Sequence, residues 1–223
     1  MKAIVIGATG ATGKSLLPLL ATSSEVESID CFGRRHPDFT HQKLNSHQID
    51  FSQPDDWRDE VQGDVLFACL GTTLKAAGSK EAQWAIDYEA NLEFAKAARQ
   101  NGVNALVLIS ASGANSASSL FYQRMKGELE QALIALNFPC LIIFRPPLLI
   151  RPNSDRLGEK IAERILYGFN RIGMLKSQRP LAVEKLAQAM LKAALLSYHE
   201  QASYSKNHMQ VYEPQDIFRL LDQ

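Results

Sequence analysis

Two side chains able to move a proton together are Tyr122 and Lys126, four residues apart in the run Tyr122-Gln-Arg-Met-Lys126. If that run is helical, the spacing brings the phenol and the ammonium onto one face, a turn apart. A free tyrosine titrates near ~10, so acid/base work near neutrality requires a shift of about 3 units, or roughly 4 kcal/mol. An adjacent ammonium pushes in that direction by stabilising the phenolate. Upstream lies the Ser-rich loop "SASGANSASS" (110–119), from which Ser110 or Ser112 could hydrogen-bond a substrate carbonyl. Together these residues form a Ser/Tyr/Lys constellation suited to exchanging a proton with a carbonyl or alcohol oxygen. No His or acid is placed for a nucleophilic triad, so hydrolase chemistry lacks support.

A second cluster opens the chain. The apolar run "KAIVI" (2–6) leads directly into Gly7-Ala8-Thr9-Gly10-Ala11-Thr12-Gly13-Lys14, followed by the helical run "SLLPLLA". Glycines let the backbone approach a pyrophosphate, and the first turn of the helix offers it free N–H groups and a positive dipole end. The spacing is GxxGxxG, and it calls for a dinucleotide. A nucleoside-triphosphatase loop is the rival reading, because Lys14-Ser15 follows the last glycine. It is weakened because the apolar strands end in "CLGTT" and "LISAS" rather than in a metal-binding carboxylate.

About 20 residues past such a loop, an NAD-binding domain usually carries an acid for the ribose 2′-hydroxyl. Here the chain reads "CFGRRH", and Arg34 and Arg35 suit a 2′-phosphate by charge and donor geometry. The expected cofactor is therefore NADP(H). Its oxidised nicotinamide would add a second cation beside Tyr122, and Lys126 could also hold the nicotinamide ribose. Asp50, closing "SHQID" (46–50), is placed to meet the adenine, and Leu70, Gly71 and Thr72 of "CLGTT" (69–73) to line the ribose end.

Short strand-like runs alternating with longer helical ones must position these residues. Besides "KAIVI", candidate strands are "VESIDCF" (26–32), "SHQID", "DVLFACL" (64–70), "NALVLIS" (104–110) and "CLIIF" (140–144). Most are near-continuous Val, Ile, Leu and Phe, as strands covered on both faces should be. Helices are expected over 80–101 and 118–137, stopped by Gly102 and Pro139. Further helices are expected near 157–168 and 182–197, then a strand "MQVY" (209–212) and a last helix opened by Pro214. The fold class is α/β, a doubly wound parallel sheet of six to seven strands with helices on both faces: a Rossmann fold. We read 1–223 as one domain, with 151–223 a small extension on the substrate side.

The 223 residues are 46% hydrophobic and 22% charged, and 24 basic side chains balance 24 acidic ones. With no net field to draw the chain onto nucleic acid or an anionic membrane, a small-molecule substrate is the expected partner. Cys31, Cys69 and Cys140 each sit in an apolar run without metal-ligand spacing, which suits reduced thiols. With no secretory h-region and no 18-residue apolar stretch, a cytoplasmic protein is expected.

The glycine loop, "CLGTT", the Ser loop, Tyr122/Lys126 and "FRPPLLI" (144–150) together resemble the short-chain dehydrogenase/reductase superfamily. "FACLGTTLKAAGS", "LISASGA", "LFYQRMKGELE" and the "GRR" after strand two narrow the resemblance to its atypical branch, the Tat-interactive-protein oxidoreductase group. The resemblance implies pyrophosphate at Gly7, Gly10 and Gly13, a 2′-phosphate at Arg34 and Arg35, and adenine by Asp50 and Phe51. It implies Pro146, Pro147 and Leu148 behind the nicotinamide, Tyr122 as proton donor and Lys126 as its tuning partner. The superfamily's serine corresponds to Ser112 by counting from the strand end, whereas the narrower group shares Ser110. Helices 80–101 and 118–137 resemble those that form dimer faces in this superfamily, which leaves room for a homodimer.

Three functions compete. The favoured one is an NADP(H)-dependent reductase of a small carbonyl compound. The others are an NADPH-binding regulator without turnover and a nucleotide-sugar epimerase or dehydratase.

Overall fold

The computed structural model describes residues 1–150, 179–200 and 207–223. Strands β1 (Lys2–Ile6), β2 (Ser28–Gly33), β3 (Leu44–Gln48), β4 (Val65–Ala68), β5 (Ala105–Ile109), β6 (Cys140–Phe144) and β9 (His208–Tyr212) form one sheet in the order β3-β2-β1-β4-β5-β6-β9. Every pairing in it is parallel. The order reverses between β1 and β4, and in open α/β sheets the ligand crevice lies at the carboxyl ends of the strands flanking such a reversal. A separate parallel pair joins β7 (Leu149–Ile150) to β8 (Leu181–Ala182).

The helices are α1 (Ala11–Thr22), α2 (Leu74–Ala77), α3 (Lys80–Trp84), α4 (Ala90–Gln100), α5 (Phe121–Ala135), α6 (Val183–Glu200) and α7 (Pro214–Asp222). Between α3 and α4 the chain makes a π-helical turn, Ala85–Glu89. Successive side chains of a strand point to opposite faces. Ala3 and Val5 thus enter a core with Leu16, Leu17 and Leu20 of α1 and Leu186 and Met190 of α6. Ile4 and Ile6 enter the other, with Phe94 and Ala98 of α4 and Leu129 and Leu133 of α5. Burying a Leu, Ile or Phe side chain contributes about 1.5–3 kcal/mol, so both faces clamp β1 and fix where its end delivers the glycine turn.

The expected Rossmann architecture is present. β1 and β6 begin and end where their apolar runs do, whereas β3 starts two residues earlier than "SHQID" and ends at Gln48. The helix expected over 80–101 is divided by the π turn. The one expected near 157–168 lies outside the described residues. The strand near 209–212 is β9, which extends the sheet beside β6, and the β7–β8 pair had no counterpart in the expectations.

Candidate cofactor and active site

Gly7 ends β1 at φ +79°, and a Cβ there would lie 2.4 Å from the Cys69 carbonyl carbon. Only glycine lets the end of β1 pass that close to the end of β4. A Cβ on Gly13 would lie 2.2 Å from the Gly7 oxygen, so the third glycine seats α1 against the turn. The Gly10 amide donates to Gly7 O at 2.9 Å, and the Lys14 amide to Gly10 O at 2.9 Å. Among the described residues nothing accepts from the amides of Ala11, Thr12 and Gly13, and no acid sits in the first turn of α1. Unclaimed donors at a positive helix end fit a phosphate group. Lys14 instead pairs with Asp38 at 3.0 Å, and the Ser15 hydroxyl donates to Ala11 O at 3.2 Å.

Along the carboxyl ends of the strands run three cavities that share Leu70 as a wall. One of about 60 Å³ is lined by Gly7, Thr9, Arg34, Arg35 and Phe51. Another, about 520 Å³, has Arg34, Asp50, Phe51, Ile86 and Ala90 in its walls. Both guanidinium groups are exposed at the end of β2. Asp50 accepts from the Ser52 amide at 2.9 Å and hydroxyl at 2.8 Å, which hold its carboxyl below the usual range. That carboxylate is thus part of a local turn as well as of the cavity wall.

The third cavity, about 440 Å³, joins the remaining predicted residues. Gly10, Ala11 and Thr12 bound it at α1, Leu70, Gly71 and Thr72 at β4, and Ser110 and Ser112 after β5. Tyr122, Lys126, Pro146 and Leu148 complete it. Tyr122 is 43% exposed, whereas Lys126 is only 3% exposed. The Lys126 Nζ lies 3.3 Å from Asp87 Oδ1, with both side chains buried. That is an ion-pair distance without hydrogen-bond alignment, and Asp87 Oδ1 has no hydrogen-bond partner among the described residues. The other carboxylate oxygen, Asp87 Oδ2, accepts from the Thr72 amide at 2.8 Å. Burial pushes the Asp87 carboxyl up from its ordinary value, against Lys126 and the Thr72 amide, which pull it down.

The two candidate serines differ in their surroundings. Ser110 is buried, and its hydroxyl donates to Glu130 on α5. Arg145, just past β6, grips Glu130 through Nε at 3.0 Å and Nη2 at 2.5 Å, and reaches Glu213 at 2.7 Å through Nη1. These two carboxylates push the Arg145 guanidinium above its ordinary value. The Ser112 amide donates to Pro146 O at 3.0 Å, and its hydroxyl has no partner among the described residues. The loop carrying both is pinned to α5, because a Cβ on Gly127 would lie 2.2 Å from the Ser116 amide nitrogen.

Sequence reasoning passed over Asp87, Asn91, Gln83 and Glu130. Asn91 Nδ2 donates to Leu70 O at 3.4 Å, and Gln83 Nε2 to Thr72 O at 3.1 Å, fastening the "CLGTT" turn to the helix beneath it. The available signal was polar side chains four residues apart, Gln83, Asp87 and Asn91, on one face of a helix whose neighbours there are apolar.

The fold and this run of cavities define an NAD(P)-binding protein of the Rossmann type. The chain belongs to the NAD(P)H-binding family, whose profile matches residues 7–137. It is similar to "Protein FMP52-1, mitochondrial" of Scheffersomyces stipitis, 38% identical over 207 residues that cover 90% of this chain and 91% of that one. Among solved structures, MoeE5 in complex with UDP-glucose and NAD superposes with a TM-score of 0.67 at 15% identity, covering 95% of this chain and 75% of that one. The oxidoreductase ylbE from Lactococcus lactis gives 0.63 at 16%, covering 100% and 98%.

These relatives correct one expectation. The FMP52 proteins of S. stipitis, Candida albicans and Meyerozyma guilliermondii are named as mitochondrial, which points away from the cytoplasm. The cytoplasmic expectation leaned on the lack of a secretory h-region and of a long apolar stretch as well as on reduced thiols, and none of these separates the cytoplasm from another reducing compartment. Among the described residues no helix is long and apolar enough to cross a membrane.

Proposed function

We propose that the protein is an NADP(H)-dependent reductase of a small carbonyl compound, with 1–223 acting as one unit and 151–223 on its substrate side. The observation that carries this reading is that one cavity is bounded both by the unclaimed amides of α1 and by Tyr122, Lys126 and Ser112. When bound there, the nicotinamide supplies the hydride.

The chain's own residues do the rest. Ala11, Thr12 and Gly13 hold pyrophosphate oxygens by backbone N–H groups. Arg34 and Arg35 select the 2′-phosphate, a charge-assisted contact contributing roughly 1.5–3 kcal/mol, or about 10- to 150-fold in preference. Pro146 and Leu148 wall off the nicotinamide side. Ser112 is the serine that polarises the carbonyl, because the Ser110 hydrogen is committed to Glu130. Tyr122, open to the cavity, gives its phenolic proton to the developing alkoxide, and Lys126 stabilises the phenolate left behind.

Fluorescence titration with NADPH and NADH side by side tests the cofactor half. NADPH should bind at least about 10-fold more tightly, and an Arg34→Ala/Arg35→Ala protein should lose that preference while keeping its NADH affinity. For the catalytic half, Tyr122→Phe should abolish NADPH-dependent turnover on any aldehyde or ketone that the wild type reduces. Tight binding without turnover across a broad carbonyl panel would favour an NADPH-binding regulator instead.

A further inference from the structure

We propose that Asp87 is a positioning residue for the proton-transfer pair: it keeps Lys126 charged in a buried site and, through that ammonium, makes the Tyr122 phenol easier to ionise. The inference rests on the assignment of Tyr122 and Lys126 given above and extends it to a residue on a different element.

Lys126 is almost wholly buried, and an ammonium removed from water without a counter-ion sheds its proton. The titratable side chains facing its cavity, among the described residues, are Cys69 from the end of β4, Asp87 from the π turn, and Tyr122 and Lys126 from α5. Burial pushes the Cys69 thiol up to about 12, so it brings no negative charge. Glu130, one turn further along α5 and also buried, has its carboxylate taken by Ser110 and Arg145, and the anion paired with Lys126 is Asp87, at 3.3 Å.

The backbone arrangement places the carboxylate there. A π turn adds a residue to the helical repeat and re-aims the side chains that follow, and such turns recur at functional sites. With Oδ2 anchored by the Thr72 amide at 2.8 Å, Oδ1 is left facing the ammonium. A methyl group on Gly71 would sit 3.5 Å from Oδ1, ordinary contact distance, so the turn closes over the carboxylate and shields it from water. One side chain therefore joins the strand-four turn, which belongs to the cofactor side, to the helix that carries the proton donor.

The test is an ultraviolet difference titration of the phenol, with the Tyr122→Phe protein subtracted, on the wild type, Asp87→Asn, Lys126→Met and the double variant. Neither cofactor nor turnover is needed. Asp87→Asn should move the Tyr122 ionisation to higher pH by on the order of one unit, in the same direction as Lys126→Met. In the Lys126→Met background the Asp87 change should give no further upward movement. If the amide does not pack, Asp87→Ser, which still offers Thr72 an oxygen, should give the same shift. An unchanged or lower ionisation in both Asp87 variants overturns the proposal, as does an equal upward movement when Lys126 is already gone. If Lys126→Met itself leaves the phenol unmoved, it is the assignment of the pair that falls.

Discussion

Ser110 gives its hydroxyl hydrogen to Glu130 in the interior, and the loop residue two positions on, Ser112, keeps its hydroxyl for the cavity. Alanine at the two positions should therefore do different things. Ser110→Ala leaves a buried carboxylate one donor short and should cost about 1–3 kcal/mol of stability, with turnover by the folded protein changed only a few-fold. Ser112→Ala should leave the melting temperature near that of the wild type and lower kcat by about 10²–10³-fold, the usual loss for a donor aimed at a developing oxyanion. Paired melting and turnover measurements decide it, and the opposite pattern would make Ser110 the polarising residue.

Gly13 offers a steric test of the cofactor loop. The missing Cβ would stand 2.2 Å from the Gly7 oxygen and 2.8 Å from the Ala8 Cα, so Gly13→Ala must push α1 away from the turn. We expect loss of measurable NADPH binding and a fall in stability of about 1–3 kcal/mol, as for other overpacked sites. By contrast, Gly78→Ala is strained only by its φ of +89°, with no atom within 4 Å of the added carbon, and should retain cofactor binding.

The thiols should be silent in the native state. Burial pushes Cys31 and Cys69 up to about 12 and raises Cys140, so at pH 8 only about one in ten thousand of the first two is thiolate. A thiol-disulfide reagent should find no fast-reacting group in the folded protein and three after denaturation. Rapid native labelling of Cys69, which lines the cavity, would show that the end of β4 opens.

Asp50 predicts a dependence on acid. Its contacts with Ser52 lower the folded-state ionisation below that of the unfolded chain. The stability it contributes is complete above the ordinary carboxylate range and is lost as pH falls through the folded value. The difference in stability between wild type and Asp50→Asn should accordingly be constant above about pH 5 and shrink on acidification. A difference that grows on acidification would mean the carboxyl is raised rather than lowered.

Much of this was legible from sequence because burial on both faces leaves a simple trace. β6 is apolar at every position and every residue is buried, so its run and its bounds coincide. β3 is an edge strand with polar, half-exposed residues, Leu44 to Gln48, and its pattern could not mark its ends. Glycines needed for close approach also announced themselves, since Gly7 follows β1 directly and Gly13 sits in the first turn of α1. Asp87 left a fainter trace: Gln83, Asp87 and Asn91 recur every four residues, but an acid inside a helical run reads as solvated, and that spacing does not reveal the π turn that buries it. The separation of Ser110 from Ser112 likewise depended on Glu130 and Arg145, which are 20 and 35 positions further along the chain from Ser110.

The short β7–β8 pair has an evolutionary corollary. Leu149 stands beside Leu181 and Ile150 beside Ala182, so two points about 30 residues apart in the sequence are held side by side. What lies between two adjoining gateposts can be lengthened, shortened or exchanged without moving the dinucleotide cradle, and doubling its length costs only about 0.6 kcal/mol in closure entropy. Insertions or exchanges made at this junction should therefore leave the glycine turn and the cavities around it where they are.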